Sequence, residues 1–338
     1  MPTHDRLPMF RRLAQLGAAL AVVVVVVGAW VRLTQAGLGC PDWPGCYGHI
    51  TPAAVLDQIA DAAAAFPDRP FEYQKALHEM VHRYIATGLG AVIIALVGFS
   101  IWNRRQADQP RVLPWVLFGL VCAQGALGAL TVTLLLKPMI VTLHLMGGLT
   151  TLGVLFWLSL PPERSVTVAP SLRRLVLVAL ALLALQIMLG GWTSTNYAAI
   201  ACPDFPTCQG SFLPMTDFAN GFSLRHTSGI DYEGGILSGA ARTAIHYTHR
   251  IGAVLIASVF AVLIWMLWRS GSAWRIKRAA LAMGAAVLLQ WVIAVNFIWR
   301  GFPLWLGTAH NAGAVILLLC TLTLLRRVWP TTQATATR

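Results

Sequence analysis

Glu79-Met80-Val81-His82-Arg83 and His246-Tyr247-Thr248-His249-Arg250 each lead into a long apolar segment, and they read as two copies of one pattern. His82 and His249, 167 residues apart, both precede an arginine. His144 and His310, 166 apart, each stand just inside a later apolar segment. Upstream, Cys40-Pro41-Asp42-Trp43-Pro44-Gly45-Cys46 returns as Cys202-Pro203-Asp204-Phe205-Pro206-Thr207-Cys208, at an offset of 162. Gly28 and Trp30 match Gly190 and Trp192 at that offset, and Gln124 matches Gln290 at 166. Histidines and cysteines repeated in one register point to two similar halves. Each half then holds a bis-histidine site beneath a disulfide-closed loop.

The solvent follows from composition. Of the 338 residues, 57% are hydrophobic and 11% are charged. So few charges cannot cover a water-facing surface, which makes the bilayer the expected environment. The net charge of +12 is dispersed in short basic clusters between apolar runs, which argues for cytoplasmic loops and against a nucleic-acid groove.

Apolar runs at roughly 12–34, 78–102, 112–134, 138–160, 173–193, 241–268, 275–297 and 303–325 are each long enough to span hydrocarbon. The first, with Val22–Val27, resembles a signal-peptide core, but its length and the Trp30-Val31-Arg32-Leu33 flank read as a retained helix. With both termini inside, the inner segments collect Arg11, Arg12, Arg104, Arg105, Arg173, Arg174, Arg275, Lys277, Arg278, Arg326 and Arg327. Of the acids they hold only Asp5, Asp108 and Glu163. That charge bias sets both termini in the cytoplasm and the long segments 35–77 and 194–240 outside.

The expected fold is therefore an all-α integral membrane protein. Its eight transmembrane helices form two pseudo-symmetric four-helix bundles, residues 1–166 and 167–338, related as parallel repeats because each holds an even number of spans.

In this topology His82, His144, His249 and His310 lie in the outer third of even-numbered helices. An imidazole among apolar side chains is costly unless paired. A lone one could be a hydrogen-bonded packing residue, but four in register call for a ligand. Two histidines facing each other across a bundle, without a carboxylate or thiolate to complete a shell, suit haem iron better than zinc or copper. His78 and His246 lie within a turn of the candidate ligands and are secondary candidates, as alternative ligands or propionate partners. His249 is preferred to His246 because it keeps both the register and the arginine. His4, His49 and His226 read as solvated. Arg83 and Arg250, so close to the outer interface, either snorkel or pair with haem propionates.

The loop cysteines fit two disulfides, Cys40–Cys46 and Cys202–Cys208, being close in sequence and on the oxidising side. Closing such a loop stabilises by roughly 2–3 kcal/mol in the chain-entropy model; a redox role stays open. Cys122 and Cys320 read as small apolar residues within spans. Glu79 breaks the symmetry. It shares a helical face with His82, while His246 holds the equivalent place in the second half. A carboxylate there either pairs structurally with Arg83 or handles protons and intercepts a cation.

Together these motifs resemble the heme A synthase family of bacterial and mitochondrial membranes. The resemblance covers nearly the whole chain. It rests on Gly39 through Cys46, Glu79-x-x-His82-Arg83, His144 with Gly147-Gly148, Gly190-Gly191-Trp192-Thr193 with the second cysteine loop, His246-x-x-His249-Arg250, and His310-Asn311. It implies that His249 and His310 ligate a haem b cofactor, that His82 and His144 hold the substrate haem O, and that Glu79 is catalytic.

The implied reaction oxidises a porphyrin methyl group to formyl through a hydroxymethyl stage, giving haem A for cytochrome oxidase. The resemblance also implies a bacterial inner (cytoplasmic) membrane location. Membrane lipid, a haem O-producing farnesyltransferase and cytochrome oxidase assembly factors are the implied partners; homo-oligomerisation is left open. Because two axial histidines leave iron no free site for oxygen, electron removal with water supplying the oxygen fits better than oxygen transfer. The main alternative is a di-haem cytochrome b that only transfers electrons, which has no need of Glu79. A thiol–quinone oxidoreductase would leave the membrane histidines unexplained.

Overall fold

A computed structural model describes residues 7–106, 108–161, 168–225, 227 and 229–329. His4, His226 and the expected boundary between 166 and 167 lie outside the described residues. Among these residues, eight helices are long and apolar enough to cross a membrane: α1 (Leu7–Leu33), α2 (Tyr73–Trp102), α3 (Val112–Thr133), α4 (Pro138–Ser159), α5 (Pro170–Thr195), α6 (Gly239–Arg269), α7 (Trp274–Trp299) and α8 (Leu304–Val328). All eight expected spans are present, with α1, α2 and α5 starting earlier than their apolar cores require. Only 11% to 39% of each hydrophobic window is buried inside the protein, so most of this apolar surface faces outward. Exposed Ile94, Leu288 and Val292 illustrate it. Such a surface is stable against lipid and not against water, which makes the chain a multi-pass membrane protein.

Local chemistry fixes the helix ends. Pro138 and Pro170 open α4 and α5, where a missing N–H costs nothing. Ser238 caps α6 by accepting from the Ala241 amide. After α1 and α5 the chain turns through left-handed residues at Gln35 and Tyr197, and after α3 and α7 at Leu135-Leu136 and Gly301-Phe302. Non-glycine residues rarely adopt that conformation. Here it recurs at the repeat offsets, so the duplication is visible in the backbone itself.

Packing repeats as well. In the first half, α1 packs on α2, α2 on α3, α3 on α4 and α4 on α1; α5 to α8 make the same four contacts in the same order. The halves meet through α1 with α8, α4 with α5, and α4 with α8. These contacts interchange under a two-fold exchange of the halves, a pattern compatible with two pseudo-symmetric bundles. Where the halves join, Phe10 and Ala14 of α1, Leu152 and Leu155 of α4, Val176 of α5 and Leu324 of α8 are all buried in one core. In lipid, close van der Waals contact rather than apolar transfer drives such association, and the small Ala14 and Ala21 permit it.

The two long loops lie at one end of the molecule and touch each other. Arg69 pairs with Asp231 at 2.5 Å and Glu233 at 3.3 Å, and the Tyr232 amide donates to the Leu135 carbonyl at 3.0 Å.

Candidate functional site

All four candidate ligand histidines lie near the starts of α2, α4, α6 and α8, at the end of the molecule that carries the loops. Each pair sits on diagonal helices of its bundle. The His82 and His144 rings have centroids 6.5 Å apart with an interplanar angle of 80°. The His249 and His310 rings stand 6.4 Å apart at the same 80°. A metal bound between two imidazole nitrogens needs twice the sum of a bond of about 2 Å and a nitrogen-to-centroid distance of about 1.1 Å, or about 6.2 Å. Both pairs meet that span. Among the described residues no group of three or more His, Cys, Asp or Glu gathers into a metal site. Two facing histidines without further protein donors could hold the iron of a porphyrin, which would bring its own nitrogen donors, whereas an all-protein metal site would need more side chains than these.

Glycines shape both pairs. A Cβ on Gly28 of α1 would lie 2.9 Å from His82 Cε1, and one on Gly190 of α5 would lie 3.2 Å from His249 Cε1. These matched glycines let a neighbouring helix pass directly over an imidazole. Nδ1 of His82, His144 and His310 is buried without a hydrogen bond. His249 differs, since the Gln186 amide nitrogen lies 3.1 Å from its Nδ1.

Both disulfides form, Cys40–Cys46 and Cys202–Cys208, while Cys122 and Cys320 are free. In each closed loop an aspartate holds the turn. Asp42 accepts from the Tyr47 and Gly48 amides at 2.6 and 2.8 Å, and Asp204 from Gln209 and Gly210 at 2.6 and 3.0 Å. The arginine after each histidine clamps its loop. Arg83 Nη1 donates to the carbonyls of Asp42, Pro44 and Gly45, the last at 2.5 Å. Arg250 donates to those of Cys202, Asp204 and Thr207 at 2.8, 2.9 and 2.8 Å. The sequence suggests snorkelling or propionate pairing for these arginines; the loop clamp is an additional contact that pattern does not reveal.

Glu79 is buried at 5% exposure and held on both sides. Oε2 accepts from the Cys40 amide at 2.9 Å, and Oε1 from Arg83 Nη2 at 2.5 Å. The disulfide loop is thus tied directly to the carboxylate. In the second half the equivalent His246 is also buried, and its Nε2 accepts from Arg250 Nε at 3.3 Å. His246 therefore fills the place of the carboxylate rather than joining the His249–His310 pair. His78 stands edge-on to Trp30, with ring centroids 6.2 Å apart, and is not part of the first pair. Asp42, Asp204 and Gln186 are polar contributors to which sequence pattern assigns no role. A lone amide inside the apolar α5 was the available signal for Gln186.

Fold and site together define a multi-pass membrane protein with two matched histidine pairs and, among the described residues, one buried carboxylate. The model of the COX15-CtaA family, described as cytochrome oxidase assembly protein, matches residues 11–322, and the chain belongs to this family. It is 38% identical to the heme A synthase of Shewanella oneidensis, over 96% of this chain and 98% of that protein. It is 28% identical to the heme A synthase of Caulobacter vibrioides over 89% and 90%, and 27% identical to that of Flavobacterium psychrophilum over 92% and 95%.

Proposed function

We propose that the chain is a heme A synthase, a membrane oxidoreductase that converts a methyl group of haem O to a formyl group through a hydroxymethyl stage and so supplies haem A for cytochrome oxidase. The observation that carries this reading is the buried, doubly held Glu79 at one of two otherwise matched histidine pairs. An electron-transfer cytochrome has no use for that difference.

On this reading residues 1–166 form the substrate bundle, with haem O between His82 and His144, and residues 167–338 form the cofactor bundle, with haem b between His249 and His310. Haem b, when bound, supplies a one-electron redox couple. Glu79 shares the α2 face with His82 and is fixed by the Cys40 amide and Arg83, so its orientation is set before substrate arrives. Oxidation at the methyl leaves an electron-poor carbon. The carboxylate stabilises the developing positive charge and accepts the proton of the attacking water, in surroundings where low dielectric strengthens both effects. Each of the two stages releases two electrons and two protons, the electrons passing to a separate acceptor.

Arg83 and Arg250 hold the loops over the sites and are also proposed as propionate partners, alongside the carbonyls they already bind. The matched basic clusters at the opposite helix ends support cytoplasmic termini in a bacterial inner membrane, with both sites toward the outer face.

The test is haem extraction from membranes of cells that make this chain and are supplied with haem O. Haem A in the extract is the expected result. Unchanged haem O alongside protein-bound haem b would favour the di-haem cytochrome.

A further inference from the structure

We propose that the second half carries a site for an anionic phospholipid, with the headgroup at Arg269 and Lys277 and one acyl chain in the groove between α6 and α7. Nothing in this groove depends on which ligand the histidine pairs take.

The groove has a volume of about 290 Å³ and is lined by Ala257, Phe260, Ile264, Gly284, Leu288 and Trp291. Phe260 is buried at its floor, and exposed Leu288 marks the side open to lipid. On α6, Ala257, Ala261, Ile264 and Trp268 recur at helical spacing, so one stripe runs from the groove to the helix end. On α7, Lys277, Gly284 and Trp291 stand seven residues apart and share a face. The two stripes meet at the end of the molecule opposite the cysteine loops. There Lys277 Nζ lies 5.2 Å from the centroid of the Trp268 ring, and Arg269 Cζ 5.4 Å from that of Trp265.

Charge identifies the occupant. From residue 234 to 338 the sequence holds no Asp or Glu. Among the described residues neither Arg269 nor Lys277 forms an ion pair. Both face indole rings instead, which tolerate a cation and leave its outward side to an anion. The first turn of α7 has no side-chain cap, and the amides of a helix N-terminus favour negative charge at the same place. Tryptophans at a membrane boundary sit at headgroup level.

Depth agrees. At 1.5 Å per residue, Gly284 lies about 10 Å and Trp291 about 21 Å from Lys277 along α7. Half a bilayer with its headgroup layer is about 20 Å. A lipid whose phosphate sits at Lys277 therefore sends its chain into the groove midway, and the chain ends there. The first half differs at each of these repeat positions. Phe118 stands for Gly284, where even a Cβ would lie 2.9 Å from Ile264 Cδ1, and Gly125 stands for Trp291. Ile101 replaces Trp268, Trp102 replaces Arg269, and Asp108 brings an acid to the place of Trp274.

The experiment uses the purified full-length protein in detergent. Native mass spectrometry compares retention of dioleoyl phosphatidylglycerol and dioleoyl phosphatidylcholine, and a phosphatidylglycerol with a diazirine in its acyl chain reports where the chain lies. The parent should retain one phosphatidylglycerol at least about tenfold more tightly than phosphatidylcholine. The probe should label residues within 257–291, and unlabelled phosphatidylglycerol should displace it while inorganic phosphate should not. Arg269→Gln with Lys277→Gln should bring the two lipids to about equal retention. Arg104→Gln with Arg105→Gln, which removes two cations at the same end of the first half, should leave the preference as it was. Gly284→Phe, which installs the first-half residue, should weaken both lipids alike. Equal retention of the two lipids by the parent, labelling spread over the eight helices, or equal losses in the two cation variants would overturn the proposal. Displacement of the probe by inorganic phosphate alone would do the same. If Gly284→Phe does not fold, the position of the label in the parent decides between the groove and a mere surface charge.

Discussion

The first half, from α1 to α4, and the second, from α5 to α8, share helix neighbours, left-handed turns, a clamped disulfide loop and a diagonal histidine pair of nearly equal span. They differ inside that frame. Glu79 faces the first site where His246 faces the second, and Val24 and Ile85 stand where the second half has Gln186 and Gly252. The shared frame sets two facing histidine pairs, and a few side chains distinguish their surroundings. Beside one pair lies a fixed carboxylate, and beside the other a histidine bound to Arg250. The repeat accounts for the shared geometry, and substitutions at single positions account for the difference.

The largest effect is expected where the halves differ most. Glu79→Gln keeps the size of the side chain and an acceptor for the Cys40 amide but removes the charge and most of the basicity. Haem A formation should fall at least about a hundredfold, on the order of 3 kcal/mol in the barrier, with bound haem unchanged. Haem analysis of the purified variant checks both. Near-normal haem A would reduce Glu79 to the structural partner of Arg83.

Gly28→Ala and Gly190→Ala probe the shared frame. The first places a Cβ 2.9 Å from His82, the second 3.2 Å from His249. Overpacking of about 1–3 kcal/mol is expected for the tighter contact and less for the looser one. Haem O binding to the first variant should weaken roughly tenfold or more, and haem b binding to the second should weaken less; equal losses would show that the two approaches are equally tolerant.

The disulfides come next. Thiol labelling of denatured, unreduced protein should modify Cys122 and Cys320 and spare the four loop cysteines. Replacing Cys40 and Cys46 together by serine should lower the thermal stability of the first loop by about 2 kcal/mol and loosen Glu79, whose carboxylate the Cys40 amide holds. The matching change at Cys202 and Cys208 has no carboxylate to release, so its effect on haem A formation should be the smaller.

The smallest effect concerns Asp204. The Thr207 hydroxyl first, then the Gly210 and Gln209 amides, hold its carboxyl below the usual aspartate range. A lowered folded pKa contributes stability above the unfolded value of about 4, and that contribution is lost as pH falls through the folded value. Because the group is exposed, the contribution is small. Asp204→Asn should slightly lower the stability of the second loop near neutrality, with the difference from the parent vanishing as pH falls through the folded value, which flattens the acid side of the profile.

Much of this was legible in the sequence because a bilayer imposes length and polarity so strictly. All eight spans and both disulfides follow from apolar runs, basic clusters and cysteine spacing. The histidine register placed the two facing pairs, since polar rings in apolar helices have few other reasons to recur. What pattern could not give was contact. The arginine clamps reach across about 40 residues of loop to backbone carbonyls, which leave no trace in side-chain identity. Gln186 escaped for a related reason: it carries meaning only against Gly252, which leaves room for its amide, and nothing in the spacing tells which helix face meets which.

The most direct test of two sites with two tasks is haem analysis of four purified ligand variants, His82→Ala, His144→Ala, His249→Ala and His310→Ala, each made in cells supplied with haem O. The second-half pair should lose the haem b absorbance, and the first-half pair should retain haem b while losing haem O and haem A. The same loss in the same band from all four would contradict separate cofactor and substrate sites.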